Sequence, residues 1–360
     1  MGRILVTGAA GFIGFHLARR LLERGDQVVG LDNLCDYYDV SLKEARLAAL
    51  EPHTDFRFVR ADLADRAALE AAFADGRFDA VVNLAAQVGV RYSVEHPRTF
   101  IDSNVVGLLN VLEECRAAGV GHLVYASSSS VYGAGTALPY AVRGGATDHP
   151  LNLYAASKKA NELMAHAYSS LHGIPTTGLR FFSVYGPWGR PDMAPFLFVR
   201  AILEGRPIQV FNHGRMERDY TYVGDVVQGI VRVLDRPPGA DPAWSGDRPD
   251  PASSGAPYRV YNLGNHRPVQ LLHLVRTLEA CLGRRADLRM VPRQAGEALA
   301  TCADMDGMET DFGFLPDTPI EEGMRRFVDW YLDYHGAEAS GPARENALDA
   351  AAVDAADRAA

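Results

Sequence analysis

The sequence predicts an α/β fold in which a doubly wound parallel sheet is followed by a smaller mixed α/β C-terminal domain. Three observations predict it. Short β-rich runs alternate with helical patterns over the first 180 residues, as right-handed crossovers between parallel strands require. A glycine-rich turn, TGAAGFIG, follows the first β-rich run. After Arg180, proline and glycine interrupt the pattern at YGPWGRPDMAPF, and short strands mix with helices up to about residue 335.

The elements of the first part follow from this alternation. Strands are predicted at Arg3–Thr7, Gln27–Leu31, Phe56–Val59, Ala80–Asn83, His122–Ala126 and Thr176–Arg180. Helices are predicted at Phe12–Glu23, Arg66–Ala74, Asn104–Ala118 and Leu153–His172. The last three of these have apolar residues at three- and four-residue spacing.

The chain is expected to form two domains. Residues 1–182 form the nucleotide-binding domain, together with a returning segment around 223–264 whose YRVYNLG run has the pattern of a buried strand. Residues 183–222 and 265–335 form the substrate domain. The Pro/Gly/Ser/Asp-rich stretch 236–257 predicts a flexible loop, and the Ala/Asp/Glu-rich tail 336–360 predicts disorder.

Composition excludes several classes of function. The net charge is −9 and there is no long basic run, so nucleic acid is not an expected partner. The four cysteines are far apart and the histidines are scattered, so the sequence predicts neither a metal site nor a set of disulfides. This use of cysteine fits a reducing cytoplasm. The N-terminus begins directly with a strand-like run, and no apolar stretch approaches the length of a membrane span.

The glycine-rich turn predicts a Rossmann-like dinucleotide site. Gly8, Gly11 and Gly14 allow a tight turn, so that free N–H groups and the helix N-terminus can meet a pyrophosphate. Asp32 follows at the end of the second strand, about 20 residues past the glycines. An acid there binds both ribose hydroxyls and repels a 2′-phosphate, which favours NAD over NADP, although it could also be a turn or cap residue.

Further candidates stand at the ends of later strands. Asp62 could reach the adenine and Ala85 could line the dinucleotide channel, or each could simply close a strand. Four serines, Ser127–Ser130, end the fifth strand. Tyr154 and Lys158 share a helix face at i, i+4 spacing. The ammonium is expected to lower the pKa of the phenol, which makes Tyr154 a general acid–base.

With these motifs, the chain resembles the extended short-chain dehydrogenase/reductase family over residues 2 to 335. Within that family it resembles UDP-glucuronate 4-epimerases, in DNLCDYYDVSLKEARL, VGVRYS, FFSVYGPWGRPDMA and RDYTYV. The resemblance implies a tightly bound NAD that is regenerated in each cycle, and a UDP-glucuronate/UDP-galacturonate substrate. It also implies a homodimer formed through the helices at Asn104–Ala118 and Leu153–His172.

The resemblance also assigns site residues. The catalytic residues are Ser128, Tyr154 and Lys158. The cofactor-binding residues are Gly8, Gly11, Phe12, Ile13, Gly14, Asp32, Asn33, Asp62, Leu63, Leu84, Ala85, Ala86, Asn104, Tyr154, Lys158 and Phe181. The substrate-binding residues are Arg91, Ser127, Ser128, Ser129, Tyr154, Ser183, Arg190, Phe211, Arg218 and Gln294. Among these, Arg91 could instead cap a helix, Phe211 could be core, and Arg218 could pair with Glu217 or Asp219.

The serines indicate which reaction to expect. The family's dehydratases have acids just after the catalytic hydroxyl, and its decarboxylases have a glutamate before VYG; here Ser129 and Ser130 occupy those positions. A C4-oxidised glucuronate is a β-keto acid, which loses CO2 unless its carboxylate is pinned. Ser127–Ser130, Ser183 and Arg190 are expected to share that task, although Arg190 could instead form a surface pair with Asp192.

These features predict an NAD-dependent 4-epimerase of UDP-glucuronate. The alternatives are a 4-epimerase of neutral UDP-sugars and a UDP-glucuronate decarboxylase. A different class would be a non-catalytic NAD-sensing protein on the same fold, but such a protein would be expected to have lost Tyr154 or Lys158.

Overall fold

A computed structural model describes residues 2–74, 76–135, 137–145, 147–293 and 298–338. Gln294, predicted to bind substrate, lies outside the described residues. So does the predicted disordered tail, apart from residues 336–338, which end the last helix.

The described residues form strands and helices in the following order. The strands are β1 (Arg3–Thr7), β2 (Gln27–Asp32), β3 (Phe56–Arg60), β4 (Ala80–Asn83), β5 (His122–Ser128), β6 (Thr176–Phe181), β7 (Ser183–Tyr185), β8 (Ile208–Val210), β9 (Glu217–Arg218), β10 (Tyr220–Tyr222), β11 (Tyr258–Leu263), β12 (Val269–Gln270) and β13 (Leu288–Met290). The helices are α1 (Phe12–Glu23), α2 (Val40–Leu50), α3 (Arg66–Ala74), α4 (Tyr92–Glu95), α5 (Pro97–Phe100), α6 (Gly107–Ala118), α7 (Leu153–His172), α8 (Ala194–Glu204), α9 (Val223–Leu234), α10 (Leu271–Leu282), α11 (Asp306–Phe312) and α12 (Ile320–Glu338). A π-helical segment, Ile101–Val106, precedes α6, and 3-10 turns lie at Ser129–Tyr132 and Phe211–Gly214.

The predicted Rossmann-like sheet is confirmed. It has seven parallel strands in the order β11-β6-β5-β4-β1-β2-β3. The predicted strand ends agree with the structure to within two residues, and β11 adds to the sheet beside β6. The chain order reverses between β1 and β4, where ligands bind in sheets of this kind.

Side chains alternate between the two faces of the sheet, so each face has its own core. Ile4 and Val6 of β1 pack into a cluster with α1 and α9. Leu5 of the same strand packs into a second cluster, with α3, α6 and α7. A third cluster joins α8, α10 and α12 in the C-terminal part. None of the described helices is long and apolar enough to span a membrane.

Helix α2 was not predicted, and its composition explains why. Asp39 caps it by accepting a hydrogen bond from the backbone N–H of Ser41 at 2.9 Å. Its buried face contains Lys43 and Arg46 beside three leucines, so it lacks a clean apolar stripe. Tertiary contacts, rather than hydrophobic periodicity, bury this helix.

The stretch 236–257 contains turns and isolated bridges but no named helix or strand. Its C-terminal end is nevertheless anchored, because Ser253 and Ser254 are buried and the backbone N–H of Val260 donates to Ala252 O at 3.0 Å. The flexibility of the stretch stays a prediction.

Candidate active site

A cleft of about 250 Å³ lies along the carboxyl ends of the parallel strands. Many of the predicted site residues line it: Gly8, Gly11, Phe12, Ile13, Gly14, Asp32, Asn33, Asp62, Leu63, Leu84, Ala85, Ala86, Ser127, Ser128, Tyr154, Lys158, Phe181 and Arg190. The fold therefore brings together residues as far apart in sequence as Gly8 and Arg190.

The glycine-rich turn is shaped for close approach. Gly8 has φ +73°, and a Cβ there would lie 2.8 Å from the backbone nitrogen of Ala85. A Cβ on Gly14 would lie 2.0 Å from the carbonyl oxygen of Gly8. The turn leads directly into α1, whose first N–H groups have no partners within the helix. This cradle fits a dinucleotide pyrophosphate.

The far end of the cleft is acidic. Asp32 accepts hydrogen bonds from the N–H groups of Ala10 and Leu34, and the Lys43 ammonium lies 3.9 Å from its carboxylate. Asp62 accepts a bond from the Asn33 side chain at 2.8 Å. The bond from Leu34, two residues on, is that of a turn residue, whereas the bond from Ala10 ties Asp32 to the glycine-rich turn. Its binding of a ribose diol stays a prediction.

Asn104 was predicted to contact the cofactor, but it is not among the lining residues. Its amide accepts from the N–H of Gln87 at 2.8 Å and donates to Gln87 O at 3.0 Å and to Ser157 Oγ at 3.0 Å. Gln87 lines the cleft, and Ser157 lies between the Tyr154 and Lys158 positions on α7. The structure therefore places Asn104 behind the cleft, where it fixes the wall.

Tyr154 and Lys158 meet Ser128 at the other end of the cleft, beside β5. Burial raises the pKa of Tyr154, while a hydrogen bond from Ser128 and the charge of Arg190 act to lower it. The expectation that the Lys158 ammonium lowers this pKa is wrong for this structure. Lys158 Nζ donates to Ala126 O at 2.9 Å, and burial lowers its own pKa to about 8.

The four serines have different roles. Ser127 Oγ donates to Glu162 Oε1 at 2.7 Å in a buried network. Ser128 Oγ accepts a hydrogen bond from the backbone N–H of Ser130 at 3.2 Å and donates one to the Ser130 hydroxyl, also at 3.2 Å. Ser128 therefore also caps the 3-10 turn. Ser129 is not among the lining residues. Of the four, Ser128 is therefore the hydroxyl that reaches the reaction end.

Behind Ser127, a buried ion pair joins β5, β6 and α7. Arg180 donates to both oxygens of Glu162, at 2.7 and 2.8 Å, and Lys159 donates to Oε2 at 3.1 Å. Burial acts to raise the pKa of Glu162, but the bonds and charge of Arg180 outweigh it and hold this pKa below its ordinary value. The network fixes the strand that ends in Ser128 against the helix that contains Tyr154.

Arg190 forms a pair with Asp192, as the alternative interpretation expected, but the pair is not a surface feature. Arg190 is about four-fifths buried and lines the cleft. Its Nε donates to Asp192 Oδ1 at 3.0 Å, and its Nη2 contacts the other carboxylate oxygen. Tyr37 donates to the same carboxylate at 3.2 Å.

Among the described residues, four further predicted substrate residues lie outside the cleft lining: Arg91, Ser183, Phe211 and Arg218. The Arg91 guanidinium lies 5.6 Å from the centre of the Phe211 ring, so the structure brings these two together. Arg218 donates to the carbonyls of Glu217 and Leu299, at 3.0 and 3.3 Å. Ser183 lies in β7, where its N–H donates to Asp219 O.

Tyr37 and Tyr38, which the sequence suggested either at the cofactor mouth or as surface aromatics, line the cleft. Sequence reasoning did not assign roles to several other lining residues: Cys35, Lys43, Gln87, Val88, Ser103, Phe182, Val184 and Met193. The sequence could have indicated Lys43, because a lysine that stands between leucines on the buried face of a helix is a candidate for binding an anion. Within the described residues, no group of three or more acids, histidines or cysteines could hold a metal ion.

A glycine cradle, an acid at the second strand end and a Tyr/Lys pair beside a serine define an NAD-dependent enzyme of the short-chain dehydrogenase/reductase type. Comparison with known proteins agrees. The model of the NAD dependent epimerase/dehydratase family matches residues 4–248. The chain belongs to this family, which confirms the predicted resemblance.

Particular relatives are similar over nearly the whole chain. The protein CapI of Staphylococcus aureus is 52% identical over 92% of this chain and 99% of its own. UDP-glucuronate 4-epimerase 2 of Arabidopsis thaliana is 45% identical over 92% of this chain and 76% of its own. The crystal structure of UDP-glucuronic acid 4-epimerase from Bacillus cereus, in complex with UDP-glucuronic acid and NAD, has a TM-score of 0.80. It is 30% identical, over 92% of this chain and 99% of that chain.

Proposed function

We propose that this protein is an NAD-dependent isomerase that interconverts UDP-glucuronate and UDP-galacturonate at C4. One observation supports this most directly: Tyr154, Ser128 and Arg190 line the same end of the cleft, and the acids among the described lining residues, Asp32 and Asp62, stand at the ends of β2 and β3 instead. The Arabidopsis relative bears this activity in its name, and the Bacillus cereus structure contains both ligands.

NAD is the cofactor that this cleft fits. Gly8, Gly11 and Gly14 would hold its pyrophosphate, and Asp32 would bind the adenosine ribose diol. When bound, NAD supplies a hydride acceptor that can later return the hydride to either face of the sugar. Lys158, whose ammonium lies at the other end of the cleft, would hold the second ribose.

The chain's own residues move the proton. Tyr154, as phenolate, takes the proton of the sugar 4-OH and later gives it back, and because the hydride also returns to C4, no net oxidation occurs. The Ser128 hydrogen bond and the Arg190 charge favour that phenolate against the cost of burial. Ser128 also orients the 4-OH, because its hydroxyl is held by the 3-10 turn.

The carboxylate of the oxidised sugar must be kept out of alignment with the C4 carbonyl. Arg190 suits this role because its forked donors can bind a carboxylate in two places. Asp192 accepts from those donors in the structure, so the substrate carboxylate would share them or replace Asp192. Ser127 is committed to Glu162 and is better placed to fix the strand than to bind the sugar.

Two rival reactions lack a residue that they need. Dehydration and decarboxylation in this family use an acid beside the catalytic hydroxyl, and Ser129 and Ser130 stand there instead. A 4-epimerase of neutral UDP-sugars remains the second candidate, because Tyr154 and Ser128 would serve it equally. It gives no reason for a cation such as Arg190 at the reaction end of the cleft.

An NMR time course tests the proposal. Purified protein is mixed with UDP-glucuronate without added NAD, and the Tyr154→Phe variant is the matched control. UDP-galacturonate without UDP-pentose is the expected product, and the control should be inactive. UDP-pentose with CO2 would identify a decarboxylase, and conversion of UDP-glucose alone would identify a neutral-sugar epimerase. The Arg190→Ala variant should produce UDP-pentose, whereas Arg190→Lys should produce less.

Assembly, location and domain roles belong to the same proposal. Large apolar side chains are exposed near α6 and on α7, with Ile101 and Leu109 at 39% and Leu163 at 61%. These unpaired apolar surfaces support a homodimer formed through both helices. Four free cysteines support a cytoplasmic location. NAD would bind the part built on the seven-stranded sheet, and the UDP-sugar would bind the C-terminal part, residues 183–222 and 265–335.

A further inference from the structure

Arg46, on α2, is a cation buried without a matching anion. Its side chain is fully buried, and its Nη1 donates to Ala10 O and to the Tyr38 hydroxyl, both at 2.8 Å. Its Nη2 donates to Trp188 O at 2.7 Å. In the described part of the chain no carboxylate is among its partners, and its Nε has no hydrogen-bond partner.

A buried charge of this kind is costly unless an opposite charge compensates it. Backbone carbonyls offset part of the cost, but they leave the net charge in place. One of those carbonyls belongs to Ala10, inside the glycine-rich turn that fits a pyrophosphate. Arg46 does not line the cleft, so its charge would act on a bound anion through the turn rather than by contact.

The second carbonyl belongs to a strained segment. Trp188 has φ +61°, a conformation that is unfavourable for a bulky residue and needs support from its surroundings. Its ring packs against Phe15 at 5.3 Å and Trp330 at 5.4 Å, and Arg46 holds its carbonyl. Arg190 follows two residues later and lines the cleft. The same guanidinium therefore joins the cofactor turn to the segment that positions Arg190.

We propose that Arg46 is a positioning residue with two separable tasks. Its charge retains the cofactor by stabilising the pyrophosphate at the glycine-rich turn. Its forked donors keep the Trp188–Arg190 segment in place, so that Arg190 holds the substrate carboxylate and CO2 is not lost. The second task rests on the proposed function, whereas the first depends only on cofactor binding.

The first task is tested by measuring the NAD that purified protein releases on denaturation, per folded chain. Arg46→Gln and Arg46→Met remove the charge, and Arg46→Lys keeps it. Arg19 is the matched control: it is an exposed arginine on α1 that pairs with Glu23 at 3.5 Å. We expect on the order of tenfold weaker NAD retention in both neutral variants. Arg46→Lys, Arg19→Gln and Arg19→Met should retain NAD nearly as wild type does. Wild-type retention in Arg46→Gln would overturn this task, and should Arg46→Met not fold, Arg46→Gln decides.

The second task is tested by the product ratio in NAD-saturated enzyme. Arg46→Lys keeps the charge but lacks the fork, so it should release UDP-pentose and CO2 at several times the wild-type fraction. An unchanged ratio in Arg46→Lys would overturn this task. If wild-type protein converts no UDP-glucuronate, the proposed function fails, and the NAD measurement still decides the role of the charge.

Discussion

Replacing Lys158 with methionine should stabilise the protein in the absence of NAD, although it removes a catalytic group. Lys158 is only 3% exposed, and burial lowers its pKa from 10.5 to about 8. Each tenfold change in proton affinity corresponds to about 1.4 kcal/mol, so burying the ammonium costs about 3 kcal/mol at neutral pH. The variant also loses the bond to Ala126 O, which is worth about 1 kcal/mol. The net expected gain is about 2 kcal/mol.

The pH dependence gives this prediction its distinctive sign. Between pH 8 and 10.5 the unfolded chain binds the Lys158 proton and the folded chain does not, so wild-type stability rises with pH across that window. The methionine variant lacks this rise, so its advantage should vanish within the window and become a deficit of about 1 kcal/mol, the lost hydrogen bond, by about pH 10.5.

Urea unfolding of NAD-free wild type and variant at several pH values measures the difference directly, because other titrating groups cancel. The Tyr154→Phe variant is the control, since it keeps Lys158 and should keep the wild-type slope between about pH 8 and 9, below the range in which the phenol of the unfolded chain titrates. A methionine variant that is less stable at pH 7, or a stability difference independent of pH, would refute the reasoning.

Three further predictions concern the core, the cofactor turn and the assembly. Glu162→Gln should reduce the free energy of unfolding by about 3–5 kcal/mol, because it leaves Arg180 buried without its anion; adding Arg180→Met should recover part of the loss, and urea titrations of both variants check this. Gly14→Ala should abolish NAD retention, because its Cβ would meet a backbone oxygen at 2.0 Å; full NAD content in folded variant protein would contradict it. Leu109→Glu should yield monomers in sedimentation experiments, whereas Leu332→Glu, equally exposed on α12, should not.

The sequence alone was sufficient for the sheet and for the cofactor end of the cleft. Strand–helix alternation is a local signal, so β1 to β6 could be located to within two residues. The glycines and Asp32 are also local, since their role depends on following a strand. Tyr154 and Lys158 could be paired because helix geometry places i and i+4 on one face.

The positions of buried charged and polar side chains could not be predicted from such local patterns. Helix α2 was missed because Lys43 and Arg46 occupy its buried face, and only distant partners such as Trp188 O explain why they can. Likewise, no local pattern showed that Asn104 would bond to the backbone of Gln87, and its predicted contact with the cofactor stays a prediction.

The reaction end depended most on tertiary structure. The sequence determined that four serines and no acid stand at the end of β5, but Glu162, from a distant helix, decides that Ser127 faces inward. The sequence left open whether Arg190 binds substrate or pairs with Asp192; the folded chain pairs Arg190 with Asp192 and places Arg190 in the lining of the cleft. The bond that turns Ser127 inward joins residues 35 positions apart, and the cleft that Arg190 lines is assembled from distant segments, so no local pattern encodes either outcome.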